Sequence, residues 1–150
     1  MELVFTNGGD SRFEGLCTLL DESLDEQCGG REQRQKYLQY NGLTHIHDVV
    51  LILDGEQAVA CGGFKQYDPH TAEIKRVYVR DEYRGHGLAT QLMNALETVA
   101  RRQGFTRLIL ETGVGFTPAI RLYNSLGFHV IENYGQYAGM PFSYCMEKML

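Results

Sequence analysis

The spacing of apolar and polar positions predicts most elements of the chain. Glu2–Thr6 reads as a first edge strand closed by Asn7-Gly8-Gly9. Asp10 or Ser11 can cap a helix whose apolar positions are Phe13, Leu16, Leu19, Leu20 and Leu24. A second, more polar helix is expected over Arg31–Tyr40, ended by Asn41-Gly42. Val49–Leu53, Asp54-Gly55 and Ala58–Lys65 give a hairpin signal, because Asp-Gly suits the tight turn between antiparallel strands. Cys61-Gly62-Gly63 inside the second of these strands points to a bulge or a close backbone approach. Thr71–Val79 completes a three-strand meander, ending in the β-branched and aromatic Val77, Tyr78 and Val79.

The period then changes. Gly85 and Gly87 break the strand pattern and allow a tight turn. Leu88, Leu92, Leu96 and Val99 recur at helical spacing, with Met93 and Ala100 widening the stripe. Gln91, Asn94, Glu97, Arg101 and Arg102 are left for the wet side, and Gly104 stops the helix. Leu108–Leu110 is an apolar run suited to a buried parallel strand. Thr117 at the cap and Pro118 at the first helical position start another helix, with Ala119, Leu122, Tyr123 and Leu126 on one face. Val130–Ile131 is a short strand. Met140–Met149 is the last, with Phe142, Tyr144 and Met146 in alternation.

A strand, a glycine turn and a helix in that order make a natural anion site. The helix start at Gly87 or Leu88 presents N–H groups without intrahelical partners and the positive end of the helix dipole. Arg84 adds a fixed charge beside it. From spacing alone, an ordinary strand-to-helix turn explains these residues as well. The sequence Arg84-Gly85-His86-Gly87-Leu88-Ala89 is similar to the Arg/Gln-x-x-Gly-x-Gly/Ala signature of the GNAT superfamily of acyl-CoA-dependent N-acetyltransferases. It is flanked by E-I-K-R-V-Y-V before and P-A-I-R-L-Y-N-S-L-G-F after, as in that family.

The resemblance, clearest over residues 48–149, implies the α/β GNAT fold: a central mixed, twisted sheet in the order β-α-α-β-β-β-α-β-α-β-β, with helices on both faces. It implies acetyl-CoA as cosubstrate, held by backbone groups of Arg84, Gly85, His86, Gly87, Leu88, Ala89 and Thr90 and by the strand Val77, Tyr78 and Val79. An amide near Val77 or Tyr78 would serve the oxyanion, where Thr106–Thr112 splays away to admit the cofactor. Thr117 stands where relatives often carry an asparagine for the pantetheine arm, so that contact falls to Thr117 or to Asn124. Glu73 corresponds to a base glutamate and Tyr123 to a general acid beside the sulfur. Both have structural readings as well, a strand carboxylate paired with Lys75 or Arg76 and a core tyrosine. On a regular strand, Glu73, Lys75, Val77 and Val79 would share one face. Lys75-Arg76 could clamp a substrate carboxylate, and Tyr134 and Tyr137 could close over the acceptor.

Composition narrows the field. A chain of 150 residues, 43% hydrophobic and 22% charged, fits one globular domain over 1–150. No apolar run reaches membrane length, and the N-terminus lacks a signal peptide's pattern, so a cytoplasmic protein is expected. Cys17, Cys28, Cys61 and Cys145 form no C-x-x-C pair, which suits free thiols. His45-Ile46-His47 could place two ligands on one strand face, but no third ligand is near in sequence, so no metal is expected. The net charge of -5 is uneven: residues 1–70 carry 5 basic and 12 acidic side chains, residues 71–150 carry 9 and 7. The basic half is the one expected to meet an anionic cofactor. No dense basic stripe suggests nucleic acid.

Gly113-x-Gly115 meets Pro118 where a dinucleotide fingerprint needs glycine, Gly85-x-Gly87 meets Thr90, and no Walker loop occurs. The expected activity is acetyl transfer from acetyl-CoA to the primary amine of a small molecule, amino-acid-like if Lys75-Arg76 acts as a clamp, by direct attack. Family habit implies a homodimer through the final strands. A protein or peptide N-acetyltransferase and a non-catalytic acyl-CoA sensor remain the alternatives.

Overall fold

The computed structural model describes residues 1–27, 43 and 45–150. The expected helix over Arg31–Tyr40 and Cys28 lie outside the described residues. In chain order the elements are β1 (Glu2–Thr6), α1 (Ser11–Gln27), β2 (Asp48–Asp54), β3 (Gln57–Asp68), β4 (Thr71–Val79), α2 (Leu88–Arg102), β5 (Arg107–Gly113), α3 (Thr117–Ser125), β6 (His129–Ile131) and β7 (Ser143–Met149). The strands form one open, mostly antiparallel seven-stranded sheet in the order β1-β2-β3-β4-β5-β7-β6. Contacts divide the chain into two compact units, one of residues 1–65 and 75–96, the other of 66–74 and 97–150.

In the first unit, β1 and β2 pair antiparallel from Glu2↔Leu53 to Thr6↔Val49, and β2 pairs β3 around the Asp54–Gly55 turn. Gly55 takes the left-handed backbone that such a turn requires, with φ of 63°. Asp10 is the helix cap: its carboxylate accepts the Arg12 N–H at 2.9 Å and also binds the Arg12 guanidinium and the Thr6 hydroxyl. These donors hold its carboxyl well below the usual range. The helix buries Phe13, Leu16 and Cys17 against Ile46, Val49, Leu51, Cys61 and Tyr78. The close approach expected at Cys61–Gly63 is present, since a Cβ at Gly63 would meet Ile46 Cγ2 at 2.7 Å and Asp48 O at 2.9 Å. The register shift lies elsewhere, between Ile52 and Leu53.

In the second unit, β5 pairs β7 antiparallel over its whole length, and β7 also pairs β6. β7 is therefore an interior strand, which explains why Ser143, Cys145 and Met146 are buried while Phe142, just before it, is exposed. The Phe142-Tyr144-Met146 alternation does not define its buried face. β4 joins β5 by a short parallel ladder from Thr71↔Arg107 to Glu73↔Ile109, so Glu73 stands at the ladder's end.

β4 is not regular. Arg76 has φ of 62°, a left-handed conformation on a non-glycine residue in mid-strand. Such a bulge interrupts period-two facing, so the expectation that Glu73, Lys75, Val77 and Val79 share one face does not hold through the strand. Its tertiary cause is visible. The Arg76 side chain is 5% exposed and donates from both terminal nitrogens to Asp21 of α1 at 2.9 Å each. Cys61 Sγ donates to the Arg76 carbonyl at 3.3 Å. Among the described residues, Arg76 Nε has no hydrogen-bond partner.

Candidate active site

The first unit contains the glycine turn expected to meet an anion. β4 runs into a short 3-10 turn, Asp81–Tyr83, and then into Arg84–Gly87. Gly85 and Gly87 have φ of 81° and 77°, and neither has an atom within 4 Å of where a Cβ would stand. The left-handed backbone is therefore needed there and the space in front of it is open. The recorded hydrogen bond closing the first turn of α2 is Gln91 N–H to the Gly87 carbonyl at 3.1 Å. The N–H groups of Leu88, Ala89 and Thr90 precede that bond and have no intrahelical acceptor. Leu88 is buried and anchors the helix start, while His86 is exposed and Ala89 and Thr90 are half-buried.

Arg84 is held beside this turn. Its Nε donates to the Val79 carbonyl at 3.1 Å, a terminal nitrogen meets Asp81 at 3.0 Å, and the guanidinium lies 5.8 Å from the Tyr78 ring centroid. The structure thus brings Tyr78, Val79 and Arg84 together. Val77 is half-buried and follows the Arg76 bulge directly. The residues present fit a pyrophosphate: glycines that a Cβ-bearing residue would strain, open space, helix N–H groups and one fixed cation.

The second unit holds the ionisable groups. Glu73 is 1% exposed, and Tyr134 donates its hydroxyl to Glu73 Oε2 at 2.6 Å. Tyr134 sits between two other rings, edge-on to Tyr67 at 5.4 Å and to Tyr137 at 5.6 Å. Burial, reinforced by Glu73, pushes the Tyr134 phenol far above its ordinary range; burial with Glu111 and Glu73 does the same for Tyr137. Glu111 accepts from the Ser143 hydroxyl at 2.7 Å. The Cys145 thiol is pushed up to about 11, mainly by burial, and is protonated at neutral pH.

Tyr123 is buried on α3, edge-on to Phe128 at 5.8 Å, and burial pushes its phenol up to about 12. Thr117 is the first residue of α3 rather than its cap. The first helical bond, Ile120 N–H to the Phe116 carbonyl, places the boundary one residue early, and Phe116 makes no side-chain cap bond. Asn124 and Thr117 are exposed. His45 and His47 lie before β2, not on a strand, with Ile46 between them buried. Among the described residues no group of three or more histidine, cysteine or acidic side chains could hold a metal, and no helix is long and apolar enough to cross a membrane.

Tyr123, Tyr134 and Tyr137 share a pH signature. Their phenols titrate higher in the fold than in the unfolded chain, so the unfolded state loses protons first as pH rises. Stability is full below about pH 10 and falls above it. For Tyr123 alone the rise to about 12 corresponds to about 2–3 kcal/mol lost by pH 12. Denaturant titrations at pH 8 and 11 should show the loss, and Tyr123→Phe should lessen it.

Residues 13–128 match the acetyltransferase (GNAT) family. The chain belongs to that family. It is 34% identical over 99 residues to an uncharacterised N-acetyltransferase of Bacillus subtilis, covering 65% of this chain and 66% of the relative. It is 37% identical over 112 residues to a mycothiol acetyltransferase of Corynebacterium glutamicum, covering 75% of this chain and 38% of the relative. The matched stretch thus spans less than two thirds of each of these relatives. Among solved structures, a Klebsiella pneumoniae protein assigned as an acyl-CoA N-acyltransferase superposes with a TM-score of 0.80 at 29% identity, covering 99% of this chain and 97% of that one. A GNAT acetyltransferase of Elizabethkingia anophelis with acetyl-CoA bound gives 0.64 at 21% identity, covering 77% and 83%, a likeness of fold.

The family signature made the glycine turn legible before the fold was seen. The Asp21–Arg76 pair and the Tyr134–Glu73 bond were not legible, because they join residues 55 and 61 positions apart. Arg76 is committed to Asp21, which removes it as a clamp for a substrate carboxylate.

Proposed function

We propose that the chain transfers an acetyl group from acetyl-CoA to the primary amine of a small molecule by direct attack. The observation that carries this reading is the buried Glu73 carboxylate engaged by the Tyr134 phenol at 2.6 Å, in a chain of the GNAT family. Acetyl-CoA supplies the thioester whose acyl carbon is attacked. The Arg84–Thr90 turn binds its phosphates.

An aliphatic ammonium has a pKa near about 10 and must lose a proton before attack. Glu73 accepts that proton through a relay, of which the Tyr134 hydroxyl or a water is the first member. The oxyanion is taken by a backbone amide of β4 at Val77 or Tyr78. Tyr123, held protonated by burial, donates to the departing thiolate. Cys145, a neutral thiol at pH 7, supports direct attack over a covalent enzyme intermediate.

The test is release of CoA thiol from acetyl-CoA across a panel of primary amines, with Tyr123→Phe beside the parent. Amine-dependent release that falls at least tenfold in the variant supports the proposal. Tight acetyl-CoA binding with no release for any amine would instead favour a sensor.

A further inference from the structure

Arg76 is gripped on both sides of its Cα, and the transfer chemistry gives that grip no task. The residue stands in mid-β4 with φ of 62°, a conformation unfavourable for any residue that carries a Cβ. Its side chain is 5% exposed and is paired through both terminal nitrogens with Asp21 of α1. Its carbonyl accepts from the Cys61 thiol of β3 at 3.3 Å. Cys61 is fully buried. The Cys17 thiol beside it and burial push the Cys61 thiol well above its ordinary value, so it keeps its proton and remains a donor at neutral pH.

Peptide geometry carries this hold to the next residue. A trans peptide is planar, with its C=O and N–H pointing in opposite directions, and no peptide bond of the described residues is cis. The Arg76 carbonyl and the Val77 N–H belong to one such plane. Tying the carbonyl to Cys61 therefore sets the Val77 N–H to point away from Cys61. Val77 is one of the two candidate donors to the acyl oxygen, and it is the one whose direction this bond sets.

We propose that Cys61 is a positioning residue for the acyl group: by holding the Arg76 carbonyl it aims the Val77 N–H at the acyl oxygen of acetyl-CoA. The Asp21–Arg76 pair keeps the left-handed bend in which that aim is possible. The inference rests on the acetyl-transfer reading and names the amide that serves its oxyanion. Direction matters because a hydrogen bond weakens steeply once its angle falls below about 120°. Outright loss of an oxyanion donor costs about 10²- to 10³-fold in rate, and a donor left free to turn costs less.

Three substitutions at Cys61 separate aiming from packing. Serine keeps an O–H donor, alanine removes the donor, and valine fills the space without one. The direct readout is the Val77 amide proton in proton–nitrogen correlation spectra, compared between saturating acetyl-CoA and saturating CoA. Only acetyl-CoA carries the carbonyl. The expected result is a downfield difference in the parent that survives in Cys61→Ser and falls by at least about half in Cys61→Ala and Cys61→Val. The rates should follow. For CoA release, kcat falls about tenfold in the alanine and valine variants, and serine recovers most of it. The KM for acetyl-CoA stays within about twofold throughout. Packing alone gives another order in both rate and melting temperature, with valine nearest the parent and serine, which buries a hydroxyl, no better than alanine. A parental Val77 proton that does not distinguish acetyl-CoA from CoA, a response at Tyr78 in its place, or equal responses in the serine and alanine variants would overturn the inference. A Val77 response in the expected order, without CoA release for any amine, would leave the aiming of the amide standing and overturn the transfer reading alone.

Discussion

Glu73→Gln lowers the rate of amine acetylation by about 10²- to 10⁴-fold while leaving acetyl-CoA binding and the melting temperature close to those of the parent. Glutamine keeps the shape and can still accept the Tyr134 hydroxyl, so the local packing survives. What it cannot do is take a proton. At neutral pH almost all of an alkylamine is protonated, and without a base the reaction draws on the small neutral fraction. The loss should therefore shrink as pH rises towards the pKa of the amine. Steady-state CoA release at pH 7 and pH 9.5 reads both effects. A variant with parental rates at pH 7 would leave Glu73 as a structural carboxylate at the end of the β4–β5 ladder.

The second large effect concerns stability. Asp21→Asn should destabilise the fold by about 2–3 kcal/mol, somewhat less than a fully buried pair would cost because Asp21 is 38% exposed. The change leaves the Arg76 guanidinium buried at 5% exposure with its Nε already unpartnered. The backbone at Arg76 gives a second, independent signal. An alanine there keeps the cost of a left-handed residue, whereas glycine adopts φ of 62° freely. Arg76→Gly should therefore be more stable than Arg76→Ala by about 1 kcal/mol, although both lose the ion pair. Urea titrations of the three variants measure the ranking. Equal stability of the glycine and alanine variants would mean the bulge is not held in that conformation in solution.

These two predictions mark where sequence reading ends. The stripe of Leu92, Met93, Leu96 and Ala100 was legible because helix periodicity is a local property, and all four are buried. The hairpin at Asp54-Gly55 was legible for the same reason. Arg76 was not, since E-I-K-R-V-Y-V reads as an ordinary strand and its left-handed turn is imposed by Asp21 and Cys61 from elsewhere in the chain. Thr117 was displaced by one position because Thr-Pro fits a cap at either register. Cys17 and Cys61 were read only as free thiols. In the fold they share a core with Phe13 and Tyr78, where Cys61 and the Arg76 cation hold the Cys17 thiol below its ordinary value. In the candidate site, Glu73 and Tyr123 were named from the family's pattern. The contact that gives Glu73 its setting came from the Asn133–Gly139 loop, whose irregular backbone carries no periodic signal.

The central claim is that the turn at Arg84–Thr90 binds acetyl-CoA. Thermal denaturation across an acetyl-CoA titration tests it most directly, with an Arg84→Ala, Gly87→Glu double variant alongside. A ligand that binds the native state raises its stability by about 2.7 kcal/mol at one hundred times the dissociation constant. The account predicts a midpoint that climbs with acetyl-CoA in the parent and stays flat in the variant, where a glutamate charge occupies the open space before α2. A parent whose midpoint does not move at saturating acetyl-CoA, or a variant that climbs in step with it, would contradict the account.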